Sequence, residues 1–297
     1  MANRIDKELF VRGMVKSRAK AQEIVELGFV SCNGKVVNKS NFLVEESDKL
    51  EIKENNALKY VSRGGLKLEK AITEFGLDFQ GLNVLDIGSS TGGFCDCALK
   101  HGAKHILAVD VGTNLLDKTL REDKRIDLHE QTNFKDLPSC YFQNLDIAVC
   151  DVSFISLKQI LKKLFDEKIN IDIVCLIKPQ FECGKEIASK YKGVILDKNI
   201  HRKIIKDLFE YFESLKFSVL GLTVSPITGG DGNIEYLTLL SNKHAKSKQF
   251  DIEKITDTAF ETHKNWNIIY NFNCWKDMIV YQIVWDNNLL KWRRFNE

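Results

Sequence analysis

The sequence is poor in proline, in long apolar runs and in any excess of charge of one sign. Of its 297 residues, 3 are prolines, 44% are hydrophobic and 28% are charged. This composition argues against disorder and for a sizeable core. The length predicts two domains. A net charge of +2 excludes a polycation, so contact with nucleic acid needs a local basic surface. No stretch approaches the roughly 20 apolar residues of a membrane helix. No apolar segment follows residues 1–6, so we expect no signal peptide and no membrane location.

Cysteine pairs with metal-binding spacing are also missing. The eight cysteines lie at positions 32, 95, 97, 140, 150, 175, 183 and 274, without C-x-x-C spacing. Cys150 and Cys175 stand in apolar runs, where a reduced thiol behaves as a small hydrophobic group. Cys95 and Cys97 have no second pair to complete a metal site. We therefore expect no bound metal and a reducing, cytoplasmic location.

A basic segment of about 55 residues begins the chain. Residues 1–40 carry eight Lys or Arg against four Asp or Glu. The stretch RIDKELFVRGMVKSRAKAQEIVELGFVSCNGKVV predicts two helices, each ended by a glycine, and then two strands joined by a turn at Asn33–Gly34. Ser17 is the expected N-cap of the second helix. Such uneven charge in a nearly neutral chain indicates a module that binds nucleic acid, and a solvated helix face is the alternative.

From Val84 onward, short apolar strands alternate with helical stretches. The strands read NVLDIG, HILAVDV, IDLHEQT, LDIAVCDV, IDIVCLIKP, FSVLGLTVSP and IEYLTLLS. This alternation predicts an α/β fold with a mainly parallel sheet. In such folds the chemistry lies beyond the carboxyl ends of the strands.

The first of these strands ends in a glycine-rich turn, LDIGSSTGGF. Its Gly88, Gly92 and Gly93 let the backbone approach a ligand at a helix start. Their order, G-x-x-x-G-G, is not the dinucleotide fingerprint G-x-G-x-x-G. Asp86, an acidic residue before the first glycine, is typical of S-adenosylmethionine sites, and Asp110, at the next strand end, is placed to bind a ribose diol. The alternative is a glycine turn that only permits helix packing.

Four more charged residues lie at or near strand ends. Asp151 follows the strand LDIAVC, Lys178 ends the most hydrophobic strand, and Glu235 opens the last one, whereas Lys67 lies on a helix before the sheet. Alone, each has a plainer interpretation, as a helix cap for Asp151, a strand-edge charge for Glu235 and a helix-surface lysine for Lys67. Together they predict two lysines and two carboxylates at one edge of the sheet.

The N-terminal stretch resembles the small RNA-binding module shared by ribosomal small-subunit protein four, pseudouridine synthases and tyrosyl-tRNA synthetases. The patterns R-I-D, G-x-x-x-S-R and G-x-V-x-x-N-G-x-V occur in the order of that module. The resemblance implies that Arg4, Lys16, Arg18 and Lys39 face RNA phosphates.

Residues 1–242 resemble the TlyA family of ribosomal RNA 2′-O-methyltransferases, also labelled hemolysin A, whose catalytic domain is FtsJ-like. The matching motifs are YVSRGGLKL, LDIGSSTGGF, AVDVG, CDVSFISL, IKPQFECGK and SPITGGDGNIEY. The resemblance implies an α/β, Rossmann-like methyltransferase sheet with a small α+β N-terminal RNA-binding domain. The implied parts are an RNA-binding module at 1–55, a linker at 56–62, the methyltransferase domain at 63–242 and a tail of unknown role at 243–297.

The same resemblance implies the site residues and their ligands. S-adenosyl-L-methionine is the implied cofactor, and no metal is needed. The implied catalytic tetrad is Lys67, Asp151, Lys178 and Glu235, in which Lys178 is the candidate to activate the hydroxyl. The implied cofactor-binding residues are Asp86, Gly88, Ser90, Thr91, Gly92, Gly93, Phe94, Asp110, Val111, Asn133, Asp151 and Phe154. Arg63 and Lys135 are further implied RNA contacts, and segment 182–202 is a candidate lid over a target base flipped out of its stack.

The function that the resemblance implies is 2′-O-methylation of cytidine ribose in ribosomal RNA, by an enzyme that we expect to be a monomer acting on ribosomal subunits. Because the module begins at Arg4 with almost no leader, as in shorter family members, large-subunit rRNA is favoured and small-subunit rRNA is the second target. The alternatives are an RNA-binding regulator without catalysis, a DNA or small-molecule methyltransferase, and a pore-forming hemolysin, which the missing export signal and membrane segment disfavour.

Residues 243–297 depart from the family. They contain all four tryptophans, Trp266, Trp275, Trp285 and Trp292. The apolar run MIVYQIVW is too short for a membrane span and predicts a strand or a packed helix. The segment could be a subunit contact, an aromatic platform for nucleic acid or a weakly selected extension, and the extension is the preferred interpretation.

Overall fold

The computed structural model describes residues 2–15, 17–26, 28–53, 59–243, 246–271, 281–286 and 289–294, with side chains described as far as His263. The chain divides into two compact units, Met1–Phe260 and Glu261–Glu297.

The N-terminal part of the first unit is a small α+β module. Its elements are β1 (Asn3–Arg4), α1 (Ile5–Val11), α2 (Arg18–Glu26), β2 (Val30–Cys32), β3 (Lys35–Val37), β4 (Leu43–Val44) and β5 (Leu50–Ile52). Strand β2 pairs antiparallel with β3 and β5, and β1 pairs with β4. Asn33 and Gly34 both have left-handed φ, 51° and 77°, as a two-residue hairpin turn requires. Ser17 Oγ accepts a hydrogen bond from Lys20 N at 3.1 Å, which confirms the predicted N-cap of α2.

A seven-stranded sheet forms the centre of the rest of the first unit. Its strands are β6 (Asn83–Ile87), β7 (His105–Val109), β8 (Ile126–His129), β9 (Ile147–Cys150), β10 (Asp172–Ile177), β11 (Ser218–Val224) and β12 (Tyr236–Ser241), in the order β11-β12-β10-β9-β6-β7-β8. Strands β8, β7, β6, β9 and β10 are parallel to one another, whereas β12 is antiparallel to β10 and β11. The prediction of a mainly parallel sheet is confirmed.

The remaining helices of the described residues are α3 (Gly64–Phe75), α4 (Gly93–Lys100), α5 (Lys118–Arg121), α6 (Leu157–Asp166), α7 (Pro179–Glu182), α8 (Lys185–Lys190), α9 (Lys198–Ser214) and α10 (Ile252–Asn271), with 3₁₀ turns at Phe134–Asp136 and Ser139–Phe142. Helices α3 and α4 pack in the core on one face of the sheet, and α6 and α9 pack in the core on the other. Alternate residues of a strand point to opposite faces. Accordingly, Val84 packs in the core with α3 and α4, whereas Leu85 and Ile87 pack in the core with α6 and α9.

The strand register brings four chain segments to one edge of the sheet. Ile87 pairs with Cys150, Cys150 pairs with Cys175, and Ile177 pairs with Tyr236. The residues that leave β6, β9 and β10 and the residue that enters β12 therefore lie at the carboxyl edge of the parallel strands.

Residues 246–260 belong to the first unit. Lys248 N donates to Val219 O at 2.8 Å, and Ala259 is buried in the core with α6 and α9. In the second unit, β13 (Tyr281–Asp286) pairs antiparallel with β14 (Leu289–Arg294), so the described part of MIVYQIVW is a strand. Trp275 lies outside the described residues. The side chains of Trp266, Trp285 and Trp292, on which any role of these residues depends, also lie outside them. Among the residues described, no helix has the length and apolar content needed to cross a membrane.

Candidate active site

The end of β10 explains how a lysine follows a buried strand. Lys178 is the N-cap of α7, and Pro179 is its first residue. Proline has no amide hydrogen and its fixed φ suits the first position of a helix, so it ends the strand and starts the helix at no hydrogen-bond cost. Lys178 is 8% exposed, which means that most of its surface is removed from water.

The structure brings the four predicted catalytic residues together. Lys67, on α3, is 7% exposed rather than a surface lysine. Its Nζ lies 2.8 Å from Glu235 Oε2 and 3.4 Å from Asp151 Oδ2. The other oxygen of Asp151, Oδ1, lies 2.7 Å from Lys178 Nζ. Asp151 therefore bridges the two lysines, and Glu235 contacts Lys67.

Charge pairing outweighs burial in this cluster. Burial disfavours the ammonium form of Lys67, but Asp151 and Glu235 raise its pKa above the usual value. Burial also disfavours the carboxylate of Asp151, but Lys67 and Lys178 lower its pKa. Lys67 and Asp151 are therefore both charged at neutral pH, and Lys67 acts in this cluster as a fixed cation.

Lys178 has an additional partner that the sequence reasoning missed. Its Nζ donates to Ser153 Oγ at 3.0 Å and lies 5.8 Å from the centre of the Phe181 ring. The motif CDVSF places Ser153 two residues after Asp151, but one hydroxyl at that spacing carries no distinctive signal. The contact depends on the register between β9 and β10, which the sequence alone does not give.

Two adjoining cavities open at this edge. The lysine cavity, of about 290 Å³, is lined by Ser62, Arg63, Gly64, Lys67, Gly88, Ser89, Ser90, Thr91, Gly93, Phe94, Asp151, Ser153, Lys178, Thr228, Gly229 and Gly230. The Asp110 cavity, of about 460 Å³, has mostly apolar walls that include Val111, Leu115 and Ile155. Gly88, Ser90, Asp151 and Ser153 line both cavities. The shared wall means that a ligand in one cavity can reach a second ligand in the other beside Asp151.

Most of the predicted cofactor-binding residues line these cavities. Thr91, Gly93 and Phe94 line the lysine cavity, Gly88, Ser90 and Asp151 line both, and Asp110, Val111, Asn133 and Phe154 line the Asp110 cavity. Asp86 and Gly92 are not among the lining residues of either cavity. Gly92 is the N-cap of α4 and has a φ of 91°, so the backbone conformation there favours glycine.

The carboxylate of Asp110 shapes the glycine-rich turn. Oδ2 accepts from Ser90 N at 2.8 Å, and Oδ1 accepts from Gly112 N at 2.7 Å. Asn133 Oδ1 accepts from Lys135 N at 3.1 Å, which leaves its amide nitrogen for a ligand. Asp110 and Asn133 are thus held in place as polar groups on an otherwise apolar wall.

Asp86 lies beneath the turn. It is buried on β6, and Cys95 Sγ donates to its Oδ2 at 3.0 Å, while Oδ1 has no partner among the described residues. Burial raises the pKa of Asp86 to about 7 against the hydrogen bond from Cys95, with a smaller contribution from the charge of Asp151. Cys97 is also buried. In the part of the chain that the structure describes, no group of three His, Cys, Asp or Glu side chains is arranged to hold a metal ion.

The predicted RNA-binding residues fall into two groups. On the N-terminal module, Arg4 and Arg18 both pair with the buried Asp6, at 3.1 Å each, and Lys39 is exposed. Lys16 lies outside the described residues. At the sheet, Arg63 Nη2 donates to Thr228 O at 2.7 Å, and Lys135 Nζ donates to Gln159 Oε1 at 2.5 Å.

The segment predicted as a lid, 182–202, is attached to the loop before β12. Asn233 Oδ1 accepts from Ile195 N at 3.0 Å, and Asn233 Nδ2 donates to Gly193 O at 2.8 Å. His201 Nε2 lies 2.8 Å from Ile195 O. The segment is therefore connected to the loop that leads to Glu235, and its role as a lid stays a prediction.

A seven-stranded sheet with an antiparallel strand β12 and ligand cavities at its carboxyl edge defines a Rossmann-like methyltransferase. Sequence comparison agrees, because the FtsJ-like methyltransferase family matches residues 60–242 and the S4 domain matches residues 3–50. The chain belongs to the FtsJ-like methyltransferase family and carries an S4 domain.

Three relatives match most of the chain. A proposed rRNA methyltransferase of Bacillus subtilis, YqxC, is 41% identical over 266 residues, which are 88% of this chain and 94% of the relative. The 16S/23S rRNA (cytidine-2′-O)-methyltransferase TlyA of Mycobacterium tuberculosis is 36% identical over 80% of this chain and 89% of its own length. The 23S rRNA (cytidine-2′-O)-methyltransferase TlyA of Campylobacter jejuni is 37% identical over 74% and 92%.

A solved structure shares this architecture. A proposed hemolysin from Streptococcus thermophilus superposes with a TM-score of 0.70 at 37% identity, over 90% of this chain and 98% of that chain. The fold described above is therefore shared along most of the sequence.

Proposed function

We propose that this chain transfers a methyl group from S-adenosyl-L-methionine to the 2′-hydroxyl of a cytidine in ribosomal RNA. The observation that carries the proposal is the buried cluster of Lys67, Asp151, Lys178 and Glu235 beside the wall that two cavities share. The relatives that are named TlyA and named for cytidine-2′-O-methylation support the same reaction. A ribosomal substrate implies a cytoplasmic enzyme, which we take to act as a monomer.

The cavities fit an elongated cofactor with a charged end, a ribose and an aromatic base. Ser89 Oγ is buried on the lysine cavity and has no hydrogen-bond partner among the described residues, so it can bind a polar ligand group there. Asp110 would accept from the ribose hydroxyls, and the apolar wall around Val111 and Leu115 would hold the base. S-adenosyl-L-methionine, when bound, supplies a methyl group on a cationic sulfur.

The part of the lysine cavity beside Lys67 and Lys178 would receive the ribose whose 2′-hydroxyl is methylated. A ribose hydroxyl holds its proton tightly near neutral pH, so a nearby amine that accepts the proton would activate it. Lys67 cannot take this role while two carboxylates hold it as an ammonium. Lys178 contacts one carboxylate and one hydroxyl, so it is the better candidate. Asp151 would hold both lysines beside the reacting atoms, and this positioning contributes to the rate by itself.

RNA would be bound by two parts of the chain. On the S4 module, Arg4 and Arg18 are about half exposed and oriented by the same carboxylate, which suits contact with neighbouring phosphates. Arg63 lines the lysine cavity, where its guanidinium would bind a phosphate of the target strand. Lys39, Lys135 and Lys16 would add to this contact.

Large-subunit rRNA is our preferred substrate, and small-subunit rRNA is the second. The test is a map of ribose methylation on both rRNAs from a deletion strain, with and without this gene restored. We expect one cytidine of the large-subunit rRNA to lose its 2′-O-methyl group and to regain it. Unchanged methylation of both rRNAs would refute the proposal and would favour an RNA-binding protein without catalysis.

A further inference from the structure

The two lysines of the cluster are held by different kinds of partner. Lys67 Nζ lies between two carboxylates, those of Glu235 and Asp151. Lys178 Nζ lies 2.7 Å from one carboxylate oxygen, on Asp151, and 3.0 Å from the hydroxyl oxygen of Ser153. A hydrogen bond to a neutral hydroxyl stabilises an ammonium less than one to a carboxylate. Lys178 is therefore the lysine with fewer carboxylate partners.

The contacts of Lys178 also limit the directions in which its amine can bond. An amine nitrogen has three positions beyond Cε, which hold hydrogens or a lone pair. Ser153 accepts a hydrogen bond from one of them, and the Asp151 carboxylate lies on another side of the amine at ion-pair distance. Because Lys178 and Ser153 both line the lysine cavity, a position of the amine remains available to a molecule in that cavity.

We propose that Ser153 is a positioning residue for Lys178. The Ser153 hydroxyl accepts one N–H bond of the amine and thereby directs the free position of Nζ toward the acceptor 2′-hydroxyl. The inference rests on the proposed function. The step requires that the Lys178 ammonium first gives one proton to solvent, after which the lone pair of the neutral amine occupies the free position. It takes the 2′-hydroxyl proton while the new O–C bond forms and the S–C bond breaks, with its electron pair left on sulfur. Lys178 ends the step as an ammonium.

The backbone around Ser153 is tied to the helix that follows Lys178. Ser156 caps α6, and its hydroxyl donates to Glu182 Oε2 at 2.5 Å, while Glu182 Oε1 accepts from Leu157 N at 2.7 Å. Glu182 lies on α7, which begins immediately after Lys178. The turn that carries Ser153 and the segment that carries Lys178 are therefore joined by two partly buried hydrogen bonds, which restrain their separation.

Kinetics on the full chain test the proposal first. We would compare Ser153→Ala and Ser153→Thr with a surface control, Ser214→Ala, using methyl-labelled S-adenosylmethionine and unmethylated large and small ribosomal subunits. We expect Ser153→Ala to lower kcat about 10- to 100-fold, because a misplaced reacting group has an effect of that size. KM for the cofactor should stay within about 2-fold, the pH of half-maximal rate should move, and Ser153→Thr should recover most of the rate. Equal losses in both variants, or a change in KM alone, would overturn the proposal.

A second measurement needs no RNA. In protein with ¹⁵N-labelled lysine, the Nζ signal of Lys178, assigned by its loss in Lys178→Arg, reports how tightly the amine is held. We expect a restrained amine in the wild type and in Ser153→Thr and a mobile one in Ser153→Ala. Equal mobility in all three would refute the role of Ser153. A wild-type protein that methylates neither subunit would refute the proposed function instead, while this measurement still decides on Ser153.

Discussion

At the scale of single residues, replacing each of the two buried lysines should affect the protein differently. Lys67→Ala leaves Glu235 buried without its cation, while Asp151 keeps Lys178, and loss of a buried partner costs roughly 3–5 kcal/mol. Lys178→Ala leaves Asp151 with Lys67. We expect Lys178→Ala to lower methyl transfer by at least ~100-fold with cofactor affinity nearly unchanged, and Lys67→Ala to lower the free energy of unfolding as well. Methyl incorporation, calorimetry and urea unfolding measure these quantities. Near-normal turnover of Lys178→Ala would contradict the assignment.

Asp86 gives a prediction for pH. Burial raises its pKa to about 7 in the folded protein, against 3.8 for an ordinary aspartate. Between these values the folded state keeps a proton that the unfolded state has lost, so this residue's contribution to stability falls as pH rises from about 4 to about 7. Asp86→Asn removes that titration. Relative to the wild type, the variant should gain up to about 1.4 kcal/mol of unfolding free energy for each pH unit in that range. Parallel stability curves in urea would contradict the raised pKa.

At the scale of elements, the arginines of the two S4 helices have different roles. One holds the module together, and another is expected to bind RNA. Arg12, at the end of α1, pairs with Glu8 and donates to the carbonyls of Asp48, Glu45 and Glu46. Arg18, at the start of α2, pairs with Asp6 and is about half exposed.

Arg18→Ala should therefore weaken RNA binding and reduce the slope of log K against log salt by about 0.7 to 0.9, the value for one lost phosphate contact. Arg12→Ala is the matched control, which should lower the melting temperature of the protein and leave that slope unchanged. Filter binding over a range of salt concentrations measures both. Equal slopes for the wild type and Arg18→Ala would remove Arg18 from the RNA surface.

The element scale also shows what the sequence could predict. Apolar runs that end at Gly88, Asp151 and Lys178 predict parallel strands with polar ends, and the carboxyl edges of parallel strands necessarily meet. Helix periodicity could not separate a buried Lys67 from a surface one, because its burial depends on how α3 packs across β12. The contact of Ser153 with Lys178 and the burial of Asp86 below the turn depend in the same way on how strands and helices pack, which the sequence alone does not give.

At the scale of the whole molecule, the fold does not end where the family motifs end. Segment 246–260 contributes Ala259 to the core with α6 and α9, and Phe250 lies 6.2 Å from Phe209 between ring centres. Asp257 pairs with Arg202 at 2.8 Å. The sequence does not predict these contacts, because the segment carries no motif. Its apolar residues can be assigned to the core only when the position of α9 is known.

Two truncations of the full chain test this part of the fold. Removing the residues after Asn242 exposes several apolar side chains, each worth roughly 1.5–3 kcal/mol, so we expect the melting temperature to fall by more than about 10 °C. Removing the residues after His263 leaves the contacts of Ala259 and Asp257 in place, and we expect a fall of at most a few degrees. Scanning calorimetry measures both, with methyl transfer at 20 °C as the second readout. If both truncations melt together with the full chain, the contacts of residues 246–260 contribute nothing to stability, and the whole of 243–297 is better interpreted as a weakly selected extension.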